Sequence, residues 1–226
     1  FISFVSSSKM FLGRKKSHPI NLRSAYLDVV ISIKYIGSNR AVLGFILVVF
    51  APLFFVTPVN IGLMPVYASE VFGGGPQTLG LLISALGAGM TIGTVILASL
   101  RDIKRLGITT IASMLGMAIG LLVFSRTSNL IYAIAVLIPY GVSMTSFWTL
   151  SGSALQIIVP DKLRGRVTSM SMIFHTSLPM GTVLIGILSE RIGIQTASAM
   201  SSIGMILFTI ITFVFIPKMS RFTTKT

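Results

Sequence analysis

Apolar residues along this chain come in long runs. Six of them lie near 41–68, 77–99, 106–125, 130–158, 166–189 and 193–217, each bounded by charge or by Gly and Pro. A helix that crosses a bilayer needs about 20 mainly apolar residues, because every backbone N–H and C=O in lipid must pair within the segment. All six runs meet that length, so the pattern predicts an all-α, polytopic membrane protein with six transmembrane helices. Pro52, Pro58 and Pro65 interrupt the first run and Pro139 the fourth. Each proline removes a backbone donor, so both spans should be kinked or locally unwound. Neighbouring helices must then satisfy the freed carbonyls.

The runs also repeat. The first and fourth begin near 41 and 130, the second and fifth near 77 and 166, and the third and sixth near 106 and 193, giving offsets of 89, 89 and 87. An odd number of helices per unit places the two triplets in the membrane with opposite orientation. This 3+3 inverted repeat is a transporter signature, with the Pro-bearing spans in the places where discontinuous helices line a central path. Small residues recur at spacing four on two spans, Ala85, Gly89 and Gly93 on the second and Ala112, Gly116 and Gly120 on the third, while Gly181 and Gly186 loosen the fifth. They predict close helix packing or a smooth surface for rocking.

Composition agrees with the bilayer. Of 226 residues, 53% are hydrophobic and 10% charged, and the mean hydropathy is +0.91. An ordinary soluble domain carries roughly 25% charged residues. The 18 Lys and Arg against 5 Asp and Glu give a net charge of +13, but the basic residues are one-sided. Sixteen of the 18 lie in residues 9–40, in the second-to-third and fourth-to-fifth loops and in the tail; only Arg126 and Arg191 fall on the opposite side. Basic residues accumulate on the cytoplasmic side, so both termini should be cytoplasmic in a multi-pass protein of the cell membrane. The charge is thereby accounted for by topology, and no nucleic-acid partner is expected. Cysteine is absent and there are two histidines, so neither a metal site nor a cofactor is expected.

Four segments follow. Residues 1–8, FISFVSSS, are too short to span and read as the end of a truncated preceding helix. Residues 9–40 form a basic cytoplasmic loop. Within it Leu22, Ala25, Tyr26, Val29, Ile33 and Ile36 make a helical stripe flanked by Arg23 and Lys34, fitting an amphipathic helix on the leaflet or else a flexible tether. Residues 41–217 form the bundle and 218–226 a cytoplasmic tail.

Asp28, Glu70, Asp102, Asp161 and Glu190 fall in loops or at span ends. The one ionisable group placed within a span is His175, which is either a proton or substrate contact or a packing histidine bonded to a neighbouring helix. Polar and aromatic residues gather on the two Pro-bearing spans: Phe54, Phe55, Asn60 and Met64 on the first, Tyr140, Ser143, Thr145, Trp148 and Gln156 on the fourth. Phe54, Asn60, Met64, Tyr140, Trp148, Gln156 and His175 are the candidate cavity lining, a mixture suited to flat amphipathic molecules. Two dense charge clusters, Arg101, Asp102 and Arg105 after the second span and Asp161, Arg164 and Arg166 before the fifth, suit a cytoplasmic gate or a plain orientation signal. A different reading is a six-span intramembrane enzyme using Ser151 and His175, but Ser151 in LSGSAL has no second catalytic carboxylate available. A remnant that folds and moves nothing is a third.

Three stretches carry a family likeness: LMPVYASEVFGGGPQTLGLLISALGAG at 63–89, IVPDKLRGRVTSM at 158–170 and GILSERIG at 186–193. They resemble the C-terminal six-helix half of the major facilitator superfamily, in its drug-exporter-like branch. The resemblance implies half of a twelve-helix transporter, a missing N-terminal six-helix half as partner, and secondary active export of amphipathic small molecules, coupled to protons, by alternating access. The stretch at 9–40 would be the loop between halves, and gating would map onto Asp102 with Arg101 and Arg105 and onto Arg164 and Arg166. The family's inner-loop Asp-Arg-x-Gly-Arg pattern reads Asp-Ile-Lys-Arg at 102–105.

Overall fold

A computed structural model describes residues 40–100, 106–158 and 178–215. Among the described residues there is helix and turn, with no strand. The first span starts as α1 (Arg40–Phe55), passes through a π-helical turn (Val59–Leu63), a short helix α2 (Met64–Val66) and a second π turn (Tyr67–Val71). Then come α3 (Pro76–Ser99), α4 (Leu106–Ser125), α5 (Leu130–Ile158), α6 (Leu178–Ile192) and α7 (Ile194–Phe215). The expected ends of the third and fourth spans coincide with α4 and α5. For the fifth, the expected start at 166 lies outside the described residues. Among the described residues five helical segments are long and apolar enough to cross a membrane, beginning at Leu47, Pro76, Leu106, Leu130 and Ile194.

The prolines act unequally. In the first span α1 runs through Pro52 and stops at Phe55, and around Pro58 and Pro65 the backbone takes wider i to i+5 turns. Pro58 cannot donate to the Phe54 carbonyl, and α1 stops at Phe55. The fourth span does not unwind at Pro139 but runs through it as one α-helix. Pro139 is exposed, so its ring meets no neighbouring helix, and the Ser143 hydroxyl one turn on donates to the Pro139 carbonyl at 3.0 Å.

Packing follows the two-triplet plan. α5 packs on α3 and α4, α7 packs on α4, α6 and α1, and the first span also packs on α6. Exchange the triplets and these pairs map onto one another: second span on fourth becomes fifth on first, third on fourth becomes sixth on first, and third on sixth maps to itself. The close approaches repeat as well. Gly89 of the second span lies against the Ile138 carbonyl of the fourth, and Gly181 of the fifth lies against the Phe54 carbonyl of the first. Gly120 of the third span faces the Tyr140 side chain, while Gly204 of the sixth faces the Phe55 ring. One pairing breaks the symmetry, because α6 packs on α7 far more extensively than α3 on α4.

The expected small-residue stripes are partly right. Ala85, Gly89 and Gly93 are buried on α3, and Gly116 and Gly120 meet Ser143 and Tyr140 of α5. Ala112 is exposed, and a side chain at Gly186 would meet nothing within 4 Å. The cause is geometric: steps of four residues turn about 400°, so a spacing-four stripe drifts around the helix by about 40° each step.

Candidate functional site

The two Pro-bearing spans meet through Asn60 and Tyr140. Asn60 sits in the first π turn, and its Nδ2 lies 2.6 Å from the Tyr140 hydroxyl, which in turn donates to Asn60 Oδ1 at 2.9 Å. The same amide reaches the Met144 Sδ, one turn further along α5, at 3.9 Å. Tyr140 is 1% exposed, so its hydroxyl has no water to fall back on and Asn60 is its partner. The wider π turn is what brings an amide to this place: the break in the α1 register turns Asn60 inward against α5. Met64 and Tyr140 share one apolar core, and Trp148 packs on its edge. Trp148 also packs on Val49 and Leu53 of α1 and stands edge-on to Phe147 at 5.4 Å.

Phe54 is elsewhere. It stacks on Phe50 at 5.7 Å and meets Phe55 edge-on at 5.2 Å. It lines a cleft of about 210 Å³ between α1, α6 and α7, together with Phe55, Gly181, Ile185, Met200 and Ser201. The Ser201 hydroxyl is spent, donating to the Phe55 carbonyl at 2.6 Å. Hence the expected single lining is divided: Asn60, Met64, Tyr140 and Trp148 lie along the first–fourth interface, and Phe54 on the opposite side of α1.

The arrangement offers a polar point in an apolar interior, a broken helix beside it, and no charge among the described residues there. It can orient a neutral or amphipathic molecule by hydrogen bonding. It holds no grouping of His, Asp or Glu fit for a metal among the described residues. A family model described as transmembrane secretion effector matches residues 28–224, which include all six spans.

The chain belongs to that family.

Transmembrane secretion effectors are transporters of the major facilitator type, and the match points to a transporter rather than an enzyme. The protein is accordingly a multi-pass membrane protein. A search of curated proteins finds no match. Ser151 is buried in this chain, and its hydroxyl has no hydrogen-bond partner among the described residues. The Thr145 hydroxyl is likewise buried and unpartnered on α5. Arg101, Asp102, Arg105, Asp161, Arg164, Arg166 and His175 lie outside the described residues, as do 1–39 and 216–226, and so does the side chain of Gln156.

Three contacts were not evident beforehand. Met144 and Ser201 lie among small and apolar neighbours, and the signal that would have selected Ser201 is the freed carbonyl it answers. Tyr67, near the end of the first run, is fully buried, packs on Phe124 at 4.8 Å and donates to the Ile194 carbonyl at 3.4 Å.

Proposed function

We propose that this chain is the C-terminal half of a drug-exporter-like transporter of the cell membrane, moving amphipathic small molecules out of the cytoplasm by proton-coupled alternating access. One observation carries the reading: the first span is broken where Asn60 bonds to Tyr140 of the fourth, at the meeting of the two triplets. Broken helices at a repeat interface are where transporters bind substrate. On this reading Asn60 and Tyr140 orient the substrate, Met64 and Trp148 fit its apolar surface, and Gln156 and His175 extend the lining. Arg101, Asp102 and Arg105, with Asp161, Arg164 and Arg166, close the cytoplasmic side, and His175 carries the proton.

The partner is a second six-helix half. α3 supports this, being the least buried of the five candidate spans at 22%. Its outward Thr91 and Thr94 hydroxyls are already bonded to their own helix, so the face is smooth and polar-neutral. Both termini of the chain then face the cytoplasm. The test is transport of amphipathic dyes into inside-out vesicles carrying the complete transporter. Asn60→Leu should lower transport at least about tenfold with the protein still folded, as one lost substrate hydrogen bond is worth about 1.4 kcal/mol or more. Equal transport by the variant, or by residues 1–226 alone, would refute the assignment.

A further inference from the structure

The turn between α4 and α5 carries a second binding feature. Ser125 ends α4 and Leu130 opens α5, so Arg126 sits where two spans leave the hydrocarbon. An open cavity of about 650 Å³ lies there, walled by Val123, Val136 and Tyr132 and rimmed by Arg126 and residues 127–129. The other polar groups of the turn are engaged. The Thr127 hydroxyl donates to the Val123 carbonyl at 2.9 Å, Gln195 of α7 donates to the Ser128 hydroxyl at 3.3 Å, and Asn129 Oδ1 accepts from the Ile131 N–H at 2.9 Å. Arg126 is exposed, and among the described residues no carboxylate pairs with it. Beside it Tyr132 is 68% exposed and Val123 46%.

We propose that this cavity binds an anionic phospholipid, its phosphate on Arg126 and its acyl chain along Val123, Tyr132 and Val136. The guanidinium presents a rigid fork of donors that matches a phosphate. An uncharged apolar ligand would gain nothing from Arg126, and a soluble anion nothing from the apolar wall. Position selects the lipid between them, because the wall lies on two membrane spans and the guanidinium at their end. One basic residue near an anionic surface favours the charged lipid by about fivefold.

The complete protein, with Tyr132→Trp and Trp148 and any tryptophan outside residues 1–226 replaced by Phe, supplies a single fluorescent reporter at the cavity. It is placed in vesicles of phosphatidylcholine and phosphatidylglycerol, with one lipid or the other brominated as quencher. Phosphatidylglycerol should be preferred at the reporter about fivefold, and Arg126→Lys should keep that preference while Arg126→Gln reduces it to about one. Unaltered Trp148, roughly 24 Å further along α5, should show no preference. Absence of preference at the turn, its survival in Arg126→Gln, or an equal preference at Trp148 would overturn the site. Loss of the preference on adding millimolar inorganic phosphate would assign the cavity to a soluble anion and overturn the lipid.

Discussion

The Ser201 hydroxyl donates to the Phe55 carbonyl at 2.6 Å, joining residues 146 positions apart where α1 ends. A helix interrupted in lipid must find partners for its backbone, and here the sixth span supplies one to the first. Ser201→Ala should therefore destabilise the protein by about 0.6–1.7 kcal/mol, the range of hydrogen bonds between membrane helices. Ser202→Ala is the control, since that hydroxyl bonds to the Ser198 carbonyl of its own helix. Unfolding in mixed micelles checks the difference, and equal effects would mean that the bond across the spans contributes nothing.

Gly89 and Gly141 lie at the tightest crossing in the bundle, where an added Cβ would overlap backbone of the facing helix. Gly89→Ala and Gly141→Ala should each cost about 1–3 kcal/mol, the usual penalty for overpacking. A Cβ added at Gly87 or Gly186 would meet nothing within 4 Å. Gly87→Ala and Gly186→Ala should be neutral or stabilising by up to about 1 kcal/mol through helix propensity. Thermal denaturation of the four variants separates the two pairs.

Much of this could be read in advance, for identifiable reasons. Charge and Gly or Pro bound the runs, so α4 and α5 begin and end where the apolar pattern does. Prolines announce that the first span breaks, but not that π turns replace the lost register, because that depends on which neighbours meet the freed groups. Pro139 carries the same local signal, yet α5 stays one helix through it. Asn60 and Tyr140 are both conspicuous as polar groups in apolar runs. Their pairing is not conspicuous, because 80 residues separate them and only the packing of two triplets brings them together. Phe54 resembles the rest of the lining by type, yet helical phase puts it on the far side of α1.

Asn60 and Tyr140 should be energetically coupled. A double-mutant cycle with Asn60→Leu and Tyr140→Phe should give a coupling of about 0.6–1.7 kcal/mol in unfolding experiments. Additive effects would indicate that the bond at 2.6 Å is incidental.

Topology can be tested because the chain contains no cysteine. Ser128→Cys, in the turn after α4, and Lys162→Cys, in the basic loop, should react with a membrane-impermeant maleimide from opposite sides. Lys162→Cys should react from the cytoplasmic side, as the placement of basic residues requires. Labelling of both from one side would contradict the assignment of loops, and labelling with the sides exchanged would reverse it.

Alternating access at the first–fourth interface is tested most directly by the reactivity of one position from both sides of the membrane. Asn60→Cys in an otherwise cysteine-free complete transporter should react with the impermeant maleimide in right-side-out and in inside-out vesicles, each time slowed by a bound substrate. Reaction from neither side, or from one side under every condition, would show that Asn60 and Tyr140 lie in a static core and line no path.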